Sequence, residues 1–102
     1  MIKKYSYKDI DGNHWPDANV GDDMFYSINY AQWGISEGDT FTSVNWVLPT
    51  GVTSSDASQE YGQVIIKIAT PTTGTYKIIC ELTTEEDGKE QTNIIPMLIK
   101  VY

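Results

Sequence analysis

Apolar residues recur along this chain at every second position, the spacing of half-buried β-strands, and nowhere with the three-to-four spacing of an amphipathic helix. In residues 24–30, Met24, Tyr26, Ile28 and Tyr30 share one face while Phe25, Ser27 and Asn29 share the other. Residues 40–48 repeat the pattern with Val44, Trp46 and Leu48 inward and Phe41, Ser43, Asn45 and Val47 outward. Residues 63–69 set Val64, Ile66 and Ile68 against Ile65 and Lys67, and residues 75–84 set Tyr76, Ile78, Cys80 and Leu82 against Lys77, Ile79, Glu81 and Thr83. The inward set Trp46, Val44, Leu48, Ile66, Ile68, Tyr76, Ile78 and Cys80 is therefore the expected core.

Turn chemistry separates these runs. Ser36 through Asp39, Pro49 with Gly51, and Pro71 through Gly74 each carry turn formers. Asp87-Gly88 is the strongest hairpin signal, because a type I′ turn needs positive φ at both central residues. Its partner strand covers residues 90–102, where Pro96 lacks an amide donor and predicts a sheet edge or a bulge. Residues 52–62 read as a loose polar connection. Residues 3–7 can pair as an edge strand, but residues 9–23 are acidic and turn-rich. The reading is an all-β fold: an immunoglobulin-like antiparallel β-sandwich over residues 24–102, preceded by an N-terminal arm or loop over residues 1–23, with a small barrel as the alternative.

A length of 102 residues accommodates one domain and not two. The net charge of −7 comes from 14 acids against seven lysines, with no arginine. Between Lys8 and Lys67 no fixed cation interrupts Asp9, Asp11, Asp17, Asp22, Asp23, Glu37, Asp39, Asp56 and Glu60. Nucleic acid would be repelled by such a surface. A lone cysteine excludes an intrachain disulfide, and the apolar alternation around Cys80 marks it as a core residue. No run reaches the roughly 20 apolar residues of a membrane span, and residues 1–8 lack the apolar centre of an export signal. A soluble chain made in the cytoplasm is expected, with no membrane partner.

Catalytic and metal-binding chemistry finds little support in the spacing. Asp9-Ile10-Asp11-Gly12-Asn13 resembles the start of a calcium loop, yet the positions that should hold Gly and Glu hold His14 and Val20. His14 is the one histidine, with no sequence partner for a dyad. The carboxylates of Asp22-Asp23 fall on opposite strand faces, and Glu85-Glu86-Asp87 form a hairpin tip, so an acid/base pair is not expected. No glycine-rich phosphate loop, zinc spacing or Ser-His-Asp arrangement is present. The expectation is a non-enzyme with no cofactor and no metal. Seven of the 12 aromatics, Tyr5, Tyr7, Trp15, Phe25, Tyr26, Tyr30 and Trp33, crowd the first third, more than one small sandwich commonly hides. Tyr5, Tyr7, Trp15 and Trp33 are the candidate partner-binding residues, since exposed Tyr and Trp serve as interface anchors.

From Tyr30 onward the chain becomes more specific: Tyr30-Ala31-Gln32-Trp33, Glu37-Gly38-Asp39-Thr40, Ser43 through Val52 with Trp46, Pro49 and Gly51, then Gly74-Thr75-Tyr76, Cys80 through Thr84, and Asp87-Gly88. Over roughly residues 16–102 this resembles a family of small tailed-phage virion proteins, the fiber-tail adaptors. These typically carry a W-x-W-L-like segment, G-D-T-I, a strand ending in T-W-x-V-P-x-G-L, and G-T-x-Y-x-V. Tyr30 stands where the family usually has Trp, residues 21–24 resemble an insertion, and Ile94-Ile95-Pro96 replace a polar, arginine-bearing stretch. The resemblance implies a structural virion protein linking tail and fiber components through protein–protein contacts, in several copies and with other virion proteins as partners. A capsid decoration protein of the same fold and a carbohydrate-binding module are the alternatives; the latter would show exposed aromatics on one sheet face.

Overall fold

The alternating runs become strands whose inward side chains meet between two sheets. A computed structural model describes residues 7–9 and 12–102, with strands β1 (Tyr7–Asp9), β2 (Gly12–His14), β3 (Asp22–Asn29), β4 (Thr40–Val47), β5 (Thr53–Glu60), β6 (Gln63–Thr70), β7 (Gly74–Glu86) and β8 (Lys89–Val101), and a short 3₁₀ turn at Tyr30–Trp33. One sheet has the order β1-β2-β8-β7-β4 and the other β3-β6-β5. Within them, β4-β7-β8 and β3-β6-β5 reproduce the C-F-G and B-E-D strand orders of an immunoglobulin-type sandwich. Among the described residues every pairing is antiparallel except the short β2–β8 contact at His14 and Leu98 and an isolated bridge between Ala18 and Val101.

The inter-sheet core holds the residues the alternation selected. Ile28, Val64, Ile66, Ile68, Ile78, Cys80 and Leu82 are fully buried, joined from β8 by Ile95, Met97 and Ile99. Each buried aliphatic side chain of this size stabilises by about 1.5–3 kcal/mol. Trp46, Val44, Leu48 and Tyr76 face the same way but are half-buried, packed along the margin of that cluster. At the β7–β8 hairpin, Asp87 has φ 52° and Gly88 φ 79°, as the type I′ reading requires.

Tyr76 sits where the chain turns from β6 into β7. Its hydroxyl lies 2.6 Å from Thr72 Oγ1 and 3.2 and 3.3 Å from the carbonyl oxygens of Thr72 and Thr73. This is the tyrosine corner of immunoglobulin-like sandwiches, a ring packed inward with its hydroxyl tied to the preceding turn. Gly74, at φ 151°, is required beneath it: a Cβ there would lie 3.3 Å from the Tyr76 ring.

Four expectations are corrected. Residues 52–62 are not a loose connection, because β5 pairs with β6 along its length. All eight β5 residues are exposed, so no apolar alternation advertised the strand. Its polar composition and a bulge between Ser55 and Ser58, with Asp56 at φ 49°, blunt a free edge. Phe41 packs against the core, because a bulge between Phe41 and Ser43 reverses its facing. Pro96 lies in an unbroken β7–β8 ladder opposite Ile79, without a bulge, and the sheet continues past β8 through β2 at Leu98.

The fourth correction concerns the arm. Residues 15–21 are part of the sandwich and not a free leading loop. Trp15, Ala18 and Val20 donate their amides to the carbonyls of Leu98, Lys100 and Tyr102 at 2.9, 2.8 and 3.0 Å, and Gly21 donates to Thr70 at 2.9 Å. The segment thus runs along β8 and crosses to the other sheet, closing one flank. Trp15 and Ala18, 1% and 2% exposed, supply its apolar contribution. The proposed strand over residues 3–7 lies outside the described residues except for Tyr7, which begins β1; β1 pairs with β2 as a hairpin across the calcium-like stretch.

Candidate interaction surfaces

Two hairpin turns and one connection between the sheets gather acidic residues at one end. The β3–β4 connection, the β5–β6 turn and the β7–β8 turn converge there. Tyr30 donates its amide to the Gly62 carbonyl at 2.9 Å. A Cβ on Gly62 would lie 3.2 Å from a Glu37 carboxylate oxygen, and Gly62 itself is at φ 73°. Asp39 accepts a 3.4 Å hydrogen bond from Thr84 Oγ1. Glu37, Asp39, Glu60, Glu85, Glu86, Asp87 and Glu90 all sit at this end, with Lys89 among them.

Several of these charges are arranged unfavourably for the isolated domain. Glu85 stands directly opposite Glu90 across the β7–β8 ladder, and like charges so placed are destabilising. The Glu86 carboxyl is held above its ordinary pKa, first by a side-chain hydrogen bond with Asp39, then by the negative charges of Asp39 and Asp87. Tyr61, at the tip of the β5–β6 turn, is 79% exposed. An exposed aromatic within a crowded acidic rim suits contact with a basic partner surface. Among the described residues no group of three or more His, Cys, Asp or Glu is placed to hold a metal ion.

The outer face of β4, β7 and β8 differs in character. Val47, Ile79 and Pro96 are aligned across the three strands, flanked by Ile94 and Leu98. Val47 and Ile94 are 42% and 57% exposed. Asn45 Nδ2 donates to Glu81 Oε1 at 2.7 Å, and the hydroxyls of Thr83 and Thr92 lie 2.8 Å apart. A third feature is an open cleft of about 190 Å³ lined by Pro16, Asp17, Asp22, Met24 and Tyr26. Asp22 there accepts the Asn19 amide at 2.9 Å, which fixes the turn into β3.

The four aromatics singled out in the sequence do not form one site. Trp15 is a core residue: its Nε1 donates to the Ser27 carbonyl at 2.9 Å, and its ring centroid is 5.0 Å from Tyr26 and 6.4 Å from Trp46. It cannot contact a partner without unfolding the flank, so its candidacy is withdrawn. Trp33 is half-buried against the core, in the 3₁₀ turn that opens the β3–β4 connection. Tyr7 lies in β1, and Tyr5 falls outside the described residues. Tyr61 lies in a segment without alternation, so only its place before Gly62, a residue suited to a tight turn, marks it in the sequence. The two most exposed aromatics among the residues whose burial is described, Tyr61 and Tyr102, lie at opposite ends of the domain and not together on a sheet face.

No family model matches this chain, and no curated protein does. Among solved structures, the solution structure of amebosin is similar at 16% identity and a TM-score of 0.43, covering 85% of this chain and 87% of that one.

Proposed function

We propose that this chain is a structural virion protein of a tailed phage that links tail and fiber components through protein–protein contacts, without catalysis. The observation that carries the contact role is the loop end, where Glu85 faces Glu90 and the Glu86 carboxyl, hydrogen-bonded to Asp39 and beside its negative charge, is held above its ordinary pKa, close to exposed Tyr61. Charges that weaken the isolated fold are expected where another surface relieves them. A basic neighbour would do so, and the electrostatic match would fix orientation and speed association more than it adds affinity. The virion setting rests on the resemblance carried by Tyr30 through Gly88.

The test is mass spectrometry of purified particles, combined with deletion of the coding sequence. Expected are a stoichiometric presence of the chain and particles that retain tails but lose fibers. Its absence from particles would overturn the reading, and so would fiber-bearing particles from the deletion.

A further inference from the structure

We infer that the outer face of β4, β7 and β8 is a self-association surface, covered by the same face of a second copy of this chain turned end for end. The face has a polarity along its strands. Glu85 and Glu90 mark one end, followed by Thr83 and Thr92, then Glu81 beside Ile94, then the apolar row Val47, Ile79 and Pro96, then Lys77 beside Leu98, and last Lys100. The apolar row is thus its centre, with an acid two residues to one side on β7 and a lysine two residues to the other.

That order is self-complementary. A two-fold axis lying along the Val47–Ile79–Pro96 row reverses strand direction while keeping each strand above its own copy. It sets Glu81 over the partner's Lys77, Ile94 over the partner's Leu98, and Ile79 and Pro96 over themselves. Each contact then occurs twice, as a closed two-fold interface requires. With seven more acids than lysines, two copies repel over most of their surfaces. This face escapes that repulsion, because Lys77 and Lys100 stand on it and its middle is uncharged. Lys77 makes no ion pair among the described residues, so its charge is available to a neighbour.

Size sets the strength. Three strands span about 10 Å between axes, and the rows from Lys77 to Thr83 about 20 Å. That is a few hundred Å² per copy, well below the roughly 800 Å² of a standard interface. The dimer is accordingly weak and concentration-dependent, and gains where copies are already held together. The inference does not depend on the virion reading.

Sedimentation equilibrium of the full chain from about 10 μM to about 1 mM tests it, with a monomer–dimer equilibrium expected within that range and association weakened by salt. Ile94→Asp, at an exposed position, should leave the circular dichroism spectrum and thermal transition intact and abolish the dimer. Lys77→Glu and Glu81→Lys should each raise Kd roughly tenfold, because each reversal acts at two symmetric contacts. The double exchange K77E/E81K should return Kd to the parent value. A chain monomeric throughout overturns the inference. A dimer that survives Ile94→Asp belongs to a free strand edge and overturns it as well, as does a double exchange no tighter than its single variants.

Discussion

The indole of Trp15 reaches across the flank of the sandwich to donate a 2.9 Å hydrogen bond to the Ser27 carbonyl, whereas the buried indole nitrogen of Trp46 has no hydrogen-bond partner among the described residues. The two tryptophan rings are 6.4 Å apart, so they share a hydrophobic setting but differ in polar satisfaction. Replacing Trp15 by Phe should cost about 1–3 kcal/mol beyond the lost volume, because it leaves a buried carbonyl unpaired. Trp46→Phe removes an unsatisfied donor and should be the milder change. Denaturant unfolding of both variants measures the difference; equal losses would contradict the assignment.

Truncation to alanine should be severe at both sites, about 3–5 kcal/mol each. Deleting residues 1–20 should abolish cooperative unfolding, because it removes Trp15, Ala18 and the amides that pair with β8. A single sharp thermal transition in the truncated chain would show that the flank is dispensable.

Strands β3, β4, β6, β7 and β8 were legible because alternation of Ile, Val, Leu and aromatic residues is imposed by a core on one side. The 15–21 segment was not, since two apolar residues spaced three apart carry no period, and its pairing lies with the far end of the chain. Strand β5 was invisible for the opposite reason: with both faces in solvent, Thr53–Glu60 had no side-chain pattern to show. The loop end was hidden because its acids come from Glu37 to Glu90, and only the folded chain brings them together.

At the tyrosine corner, Tyr76→Phe should lose about 1–1.5 kcal/mol through the hydroxyl's bonds to the 72–73 turn. Gly74→Ala should be worse, because it combines a backbone at φ 151° with a Cβ 3.3 Å from the ring. Chemical denaturation of the two variants provides the comparison, and a neutral Gly74→Ala would be inconsistent with the packing described.

Burial, with Glu81 adding to it, pushes the Cys80 thiol up to about 12. The folded protein should therefore resist thiol reagents at pH 8 and react fully once unfolded. Rapid labelling under native conditions would contradict the buried placement.

Glu86 gives the domain a predictable pH response. Because its carboxyl is held above the ordinary range, the folded state binds this proton more tightly than the unfolded chain does. Its contribution is fully present below the ordinary glutamate pKa and is lost as pH rises through the folded value. Glu86→Gln should keep a donor to Asp39 and flatten this part of the stability profile. Parallel pH profiles for the parent and Glu86→Gln would contradict the Asp39–Glu86 contact.

The contact role is tested most directly by locating the chain in a cryo-electron microscopy map of the intact particle. The account predicts a sandwich at the tail–fiber junction with Glu37, Asp39, Tyr61, Glu86 and Asp87 against a basic surface of a neighbouring protein. A sandwich on the capsid, or one at the junction with this end facing solvent, would contradict it.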